Sequence, residues 1–235
     1  AYEILIGLVG AEMCIRDRLW AFSLNARDTY EEMYWKYEYN RFFDSFEHYY
    51  SLYHHRNLEL WAEYADGKVT KEELNRQRYL YPLKAVGICD SALAKAYEKD
   101  ALAAIPTKSK LMPHAREVLE YLSSKYNLYI LSNGFKELQS HKMHSSGIDK
   151  YFKKIVLSDD IGVLKPWPEI FYFALSATQS ELKDSLMIGD SWENDIAGAA
   201  GVGMHQVFYN LSGRMDLPFM PTYQISDLKE LLDLL

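Results

Sequence analysis

Three short stretches carry side chains whose types and spacing could handle a phosphoryl group. In "ILSNGF" an apolar run ends in Ser132, Asn133 and Gly134. A hydroxyl, an amide and a glycine at a strand end expose backbone N–H groups, which suits an anionic oxygen. A strand-to-helix turn capped by serine would read the same. In "GVLKPWPEIF", Lys165 stands before Pro166 and Pro168, which restrict the backbone and open a helix. An ammonium held rigidly near a strand end neutralises charge developing on a phosphoryl group, although a single lysine is as readily a solvated surface cation. In "LMIGDSWENDIAGAAGVG" an apolar run delivers Asp190, and Asp195 follows at the start of a helix. With Ser191 and Asn194 between them, the two carboxylates offer hard oxygen donors suited to Mg²⁺. Helix-capping acids account for one carboxylate, but not for both beside Gly189 and the small-residue run from Ala197 to Gly203.

Short apolar strands must position these residues. "NLYILSNG", "KKIVLSDD", "SLMIGDS" and "HQVFYN" each read as one, with helical stretches between them. Strands alternating with helices imply βαβ units and a parallel sheet covered on both faces. The expected fold is α/β, a three-layer Rossmann-like parallel sheet domain, with ligands at the carboxyl ends of the strands. "PHAREVLEYLSSKY" predicts a helix with proline in its first turn and Ala115, Val118, Leu119 and Leu122 on the buried face. "SDLKELLDLL" predicts a final amphipathic helix capped by Ser226.

From about Ala21 to Ala104 the pattern is helical and crowded with aromatics. The spacing of Phe43, Phe46, Tyr50 and Tyr53 follows one helix face. Asp66-Gly67 supplies a turn, and Thr70 with Glu73 a capping box for the next helix. Residues 21–104 are therefore expected to form a helical domain inserted into a core of residues 1–20 and 105–235.

The 235 residues carry a formal net charge of −7 and are 49% hydrophobic, enough for a buried core. An acidic balance argues against a nucleic-acid polymer or an anionic membrane as partner. Two cysteines, Cys14 and Cys89, make no disulfide framework and fit a reducing, cytoplasmic setting. "ILIGLVGAEMCI" is too short to span a bilayer and lacks the basic start of a signal peptide, so it reads as a buried strand.

Taken in order, the three motifs resemble those of the haloacid dehalogenase-like hydrolase superfamily, from about Leu19 to the C-terminus. The resemblance implies that Ser132 and Lys165 bind the phosphoryl group and act in catalysis, and that Asn133 and Gly134 shape its pocket. It implies Asp190 as a Mg²⁺ ligand, Asp195 as support for both the metal and Lys165, and the helical insert as a cap. The aromatic-rich insert and "LSNGF" look most like the pyrimidine 5′-nucleotidase branch, which cleaves phosphate from nucleoside monophosphates, here as a monomer or homodimer.

One part departs from the pattern. The superfamily's first motif is Asp-x-Asp-x-Thr followed by Leu, directly after the first strand. Its first aspartate attacks phosphorus, giving an aspartyl-phosphate, and its second serves as general acid and base. Anchored on Leu19, these positions hold Cys14 and Arg16, with Asp17 and Arg18 next. Taking Asp17 as nucleophile would put Leu19 in the acid/base role, which leucine cannot fill. "EMCIRDR" resembles the conceptual translation of a sequencing adapter, and residues 1–18 are expected to be foreign to the family pattern, leaving the chain inactive as written. The alternatives are a catalytically dead phosphate-binding protein and a metal-free 2-haloacid dehalogenase. A phospho-acceptor receiver domain is disfavoured by the helical insert and by Gly-Asp-Ser-x-x-Asn-Asp following the lysine.

Overall fold

The computed structural model describes residues 3–7, 19–134 and 136–235. They fall into two compact units, one built on Ser109–Leu235 with the first strand and residues 19–21, the other on Phe22–Lys108.

The first unit is a six-stranded, wholly parallel sheet. Its strands are β1 (Glu3–Gly7), β2 (Asn127–Ser132), β3 (Phe152–Leu157), β4 (Ser185–Gly189), β5 (His205–Tyr209) and β6 (Tyr223–Ile225), in the order β3-β2-β1-β4-β5-β6. The chain steps outward from β1 in one direction and then in the other, so the strand order reverses between β2 and β4. In open α/β sheets ligands bind at such a reversal, outside the carboxyl ends of the strands.

β2 is buried along nearly its whole length, which is why its sequence is a continuous apolar run rather than an alternating one. Tyr129 and Leu131 join a cluster with Val156, Met187, Ile170 and Phe171 on one face. Helix α5 (Ala115–Lys125) contacts β2 and buries Ala115, Val118, Leu119 and Leu122. Each leucine or valine so buried contributes about 1.5–3 kcal/mol against exposure. The α/β expectation holds.

In the second unit four helices, α1 (Phe22–Lys36), α2 (Phe46–Ala65), α3 (Lys71–Ala85) and α4 (Ser91–Ala104), enclose a core made largely of tyrosine. Tyr30, Tyr34, Tyr49, Tyr53, Tyr79 and Tyr97 are all nearly inaccessible. A buried phenol needs a partner for its hydroxyl. Tyr30 and Tyr53 share one between their oxygens at 2.6 Å, and Tyr97 donates to the Tyr30 carbonyl at 3.0 Å. Thr70 caps α3, accepting from the Glu73 N–H at 3.2 Å, while the Glu73 carboxylate accepts from Arg76 and Gln77, so only the first half of the expected capping box is seen; Gly67 takes the left-handed turn (φ +70°).

Several local expectations need correction. Phe43 lies before α2, whose N-cap is Ser45, so the aromatic spacing runs across a turn as well as a helix. Pro113 sits just outside α5, since His114 is the N-cap. The C-terminal stretch is capped by Asp227, not Ser226: Asp227 accepts from the Lys229 N–H at 2.8 Å, while Ser226 donates to Glu230. One 3-10 turn and a four-residue helix, α9 (Leu231–Leu234), follow. β6, only three residues long, has no apolar run to announce it. Trp35, one of the aromatics of the helical segment, is 58% exposed rather than packed. Cys14, Arg16, Asp17 and Arg18 lie outside the described residues; the strand read from "ILIGLVGAEMCI" is seen over Glu3–Gly7.

Candidate active site at the strand ends

β2 and β4 both flank β1, so their carboxyl ends deliver Ser132 and Asp190 to the two sides of one strand. Backbone geometry sets the turn beyond each strand. After β2, the Ser132 hydroxyl accepts the Gly134 N–H at 3.0 Å, closing a tight turn into α6 (Lys136–Ser146). After β4, the chain enters a π-helical turn over Trp192–Ala197, capped by Ser191 through the Asn194 N–H at 3.2 Å, and then α8 (Gly198–Gly201). The π-turn places Asp195 directly back over Gly189. A methyl group on Gly189 would lie 2.4 Å from the Asp195 Cβ, which is why this position carries no side chain.

Lys165 joins the two strand ends. Its ammonium donates to the Leu131 carbonyl at 2.8 Å and to Asp195 Oδ1 at 2.7 Å, and neither charged side chain has any solvent exposure. The backbone of Lys165 is clamped as well: its N–H donates to Asn133 Oδ1 at 2.7 Å, and Asn133 Nδ2 donates back to its carbonyl at 3.0 Å. The Lys165–Pro166 bond is cis. Pro168 then occupies the first turn of helix α7 (Pro168–Thr178), whose Phe171 packs against Gly198. The reading of Lys165 as a solvated cation is thus excluded. Transfer of a lone ammonium into such a place costs several kcal/mol, which its carboxylate and carbonyl partners offset.

Asp195 has both oxygens engaged, Oδ1 by Lys165 and Oδ2 by the Ser191 N–H at 3.1 Å. Asp190 is half-buried at the end of β4. A Mg²⁺ ion takes six oxygens, several of them water or substrate, from one or two protein carboxylates. Asp190 offers its carboxylate at the open edge, and Asp195, expected beside it as a second metal-supporting carboxylate, already accepts from Lys165 and the Ser191 N–H. Among the described residues no group of three or more His, Cys, Asp and Glu side chains converges to hold a metal by itself.

Three neighbours had no sequence motif to mark them. Gln139 of α6 is buried, and its Nε2 donates to Ser132 Oγ at 3.0 Å. Tyr209 ends β5, and burial first, then the nearby Asp227 and Asp190 carboxylates, pushes its phenol up to about 12. Arg214, in the loop after β5, lies 5.7 Å from the Trp192 ring and pairs with Glu193 at 2.7 Å.

The family model described as haloacid dehalogenase-like hydrolase matches residues 19–203. The chain is 31% identical to the HAD-hydrolase YfnB of Bacillus subtilis (strain 168), over 76% of each sequence. It is also 31% identical to the pyrimidine 5′-nucleotidase YjjG of Escherichia coli (strain K12), over 76% of this chain and 79% of that one. The magnesium-bound crystal structure of YfnB superposes with a TM-score of 0.84 at 25% identity, covering 99% of this chain and 98% of the other. A dehalogenase crystal structure shares the fold, with a TM-score of 0.73 at 21% identity, over 100% of this chain and 96% of that one.

Proposed function

The chain belongs to the haloacid dehalogenase-like hydrolases, and from that premise we propose that its site is built for Mg²⁺-dependent hydrolysis of a phosphomonoester, with a pyrimidine nucleoside 5′-monophosphate as substrate. The observation that carries this reading is the buried Lys165 ammonium, fixed between Leu131 and Asp195 beside Ser132. A cation locked in place before the substrate arrives stabilises charge that develops on phosphoryl oxygens without reorganising at the moment of reaction.

Each residue then has a task. The Ser132 hydroxyl binds a phosphoryl oxygen; Lys165 neutralises the group's charge; Asn133 holds the backbone of Lys165, and Gly134 permits the close turn that its N–H closes onto Ser132. Asp190 would hold Mg²⁺, which when bound supplies a Lewis acid to the phosphoryl group. Asp195 orients the Lys165 ammonium. A carboxylate at the end of β4 favours this metal-dependent reading over metal-free displacement of halide. The helical unit Phe22–Lys108 serves as the cap, and YjjG, a pyrimidine 5′-nucleotidase, supports the choice of nucleotide. The proposed setting is the cytoplasm, where small phosphorylated substrates reside. Among the described residues no helix is long and apolar enough to cross a membrane.

The reaction also needs a nucleophilic aspartate, whose family position is occupied by Cys14. The proposed activity therefore belongs to the site with an intact first motif. Base stacking on an aromatic contributes roughly 1–3 kcal/mol, so a nucleotide should be preferred over a plain sugar phosphate by about tenfold to a hundredfold. The test is kcat/KM, with and without Mg²⁺, for UMP, dTMP, AMP and glucose 6-phosphate on a protein with the first motif restored. Equal values across the panel would reduce the reading to a generic phosphatase, and metal-independent turnover would refute it.

A further inference from the structure

Gln139 lies on a helix that the reaction does not otherwise use, yet it is almost completely buried and bonded to Ser132. A serine hydroxyl has two acceptor sites and one proton. At Ser132 both acceptor sites are filled, by the Gly134 N–H and by Gln139 Nε2, each at 3.0 Å. The hydroxyl thus has nothing left to do but donate, and its proton is directed away from both donors. Among the described residues no acceptor takes that proton. The helix that aims the amide is itself anchored one turn on, where buried Lys142 lies 4.8 Å from the ring of Trp20.

We propose that Gln139 is a positioning residue that makes Ser132 an obligate hydrogen-bond donor toward the anion at the strand ends. Without the amide, one lone pair of Ser132 is vacant and the hydroxyl can rotate, so part of the time its proton is turned from the ligand and a lone pair faces an anionic oxygen instead. The amide removes that rotamer, and the site discriminates in favour of acceptors, which is what a phosphoryl group offers. This inference rests on the phosphate-binding reading of Ser132 given above.

The test is a double-mutant cycle on the whole chain, with inorganic phosphate as probe and Mg²⁺ present, followed by phosphorus-31 NMR titration. Ser132→Ala should weaken binding about tenfold or more, the effect of a hydrogen bond to a charged group. Gln139→Met, of similar volume, should weaken it about threefold to tenfold. The double variant should bind no more weakly than Ser132→Ala, because Gln139 acts only through the hydroxyl. An equal loss from Gln139→Met in both backgrounds, or no loss in either, overturns the proposal while leaving the phosphate site intact. Absence of saturable binding by the unsubstituted chain overturns the phosphate site and the proposal together. Gln139→Glu gives an independent arm if the methionine variant does not fold. As a carboxylate it accepts the Ser132 proton and competes with the ligand; once protonated it donates again. Its affinity, taken relative to the unsubstituted chain at each pH, should recover as pH falls, and a flat ratio overturns the assignment.

Discussion

The Lys165 ammonium lies 2.7 Å from Asp195 Oδ1 with both side chains wholly shielded from solvent. Breaking a buried pair from one side leaves a charge with no partner, which costs about 3–5 kcal/mol, whereas replacing both members with apolar groups costs far less. Lys165→Met and Asp195→Leu should each destabilise the protein by about that amount in urea unfolding. The double variant should lose clearly less than the two single losses added together. Additive losses would mean that the two charges are solvated separately and do not form the closed pair.

Gly189 offers a sharper steric test. An added methyl would meet Asp195 at its Cβ (2.4 Å), Cγ (2.7 Å) and Oδ2 (2.8 Å). Asp195 cannot retreat without giving up Lys165 or the Ser191 N–H. Gly189→Ala should therefore cost about 1–3 kcal/mol, as overpacking does, and weaken phosphate binding by shifting Lys165. Gly201 is the matched control: it is exposed at the end of α8, and an added methyl meets nothing within 4 Å. Gly201→Ala should be neutral or stabilise by up to about 1 kcal/mol. Thermal unfolding of the two variants side by side decides it, and equal effects would contradict the close approach at Gly189.

Sequence makes the sheet legible where burial imposes a run of apolar residues and a motif ends it. β2, β4 and β5 are of this kind, β3 only in its buried second half, and Ser132, Lys165, Asp190 and Asp195 can be named because they follow such runs or stand beside prolines. β6 is not legible, since three residues, two of them exposed, carry no pattern. The cap of the final turn is ambiguous in sequence because Ser226 and Asp227 are adjacent and equally good caps; only the reach of Glu230 back to the Ser226 and Asp227 N–H groups selects the register. Gln139 is hidden for a different reason. Its partner is seven positions away across a turn, and a polar residue in a helix reads as solvent-facing until its neighbours are known.

The tyrosine core predicts an alkaline transition. Tyr37 is pushed up to about 12, by burial first and then by its hydrogen bond to Asp100 and that carboxylate's charge. Burial also drives Tyr49 and Tyr97 well above their usual value. In the unfolded chain these phenols ionise near pH 10, so above that pH the unfolded state holds fewer protons than the folded one. Stability is then complete below about pH 10 and falls as pH rises toward about 12 and beyond. Phenolate absorbance near 295 nm should accordingly lag behind free tyrosine and rise together with loss of helical circular dichroism. A smooth titration of all tyrosines centred on pH 10, with the helices intact, would contradict the packing described.

The last prediction concerns the position that no register of residues 11–18 fills with a suitable pair. Family chemistry needs an aspartate to attack phosphorus and a second, two residues on, to move the proton. The family match begins at Leu19, and the residues before it supply Cys14 and Arg16 in those places. A thiolate at Cys14 would remove a carboxylate from the site proposed to hold Mg²⁺, and an arginine does not exchange its proton near neutral pH. The chain as it stands should therefore show no measurable phosphomonoesterase activity with any divalent metal, a loss of several orders of magnitude. Replacing residues 1–18 with an apolar strand that ends in Asp-x-Asp-x-Thr directly before Leu19 should restore Mg²⁺-dependent turnover. Substituting cysteine for the first of those aspartates should abolish it again. Activity in the unmodified chain that survives Cys14→Ala and still requires Mg²⁺ would place the nucleophile elsewhere and refute this account of the first motif.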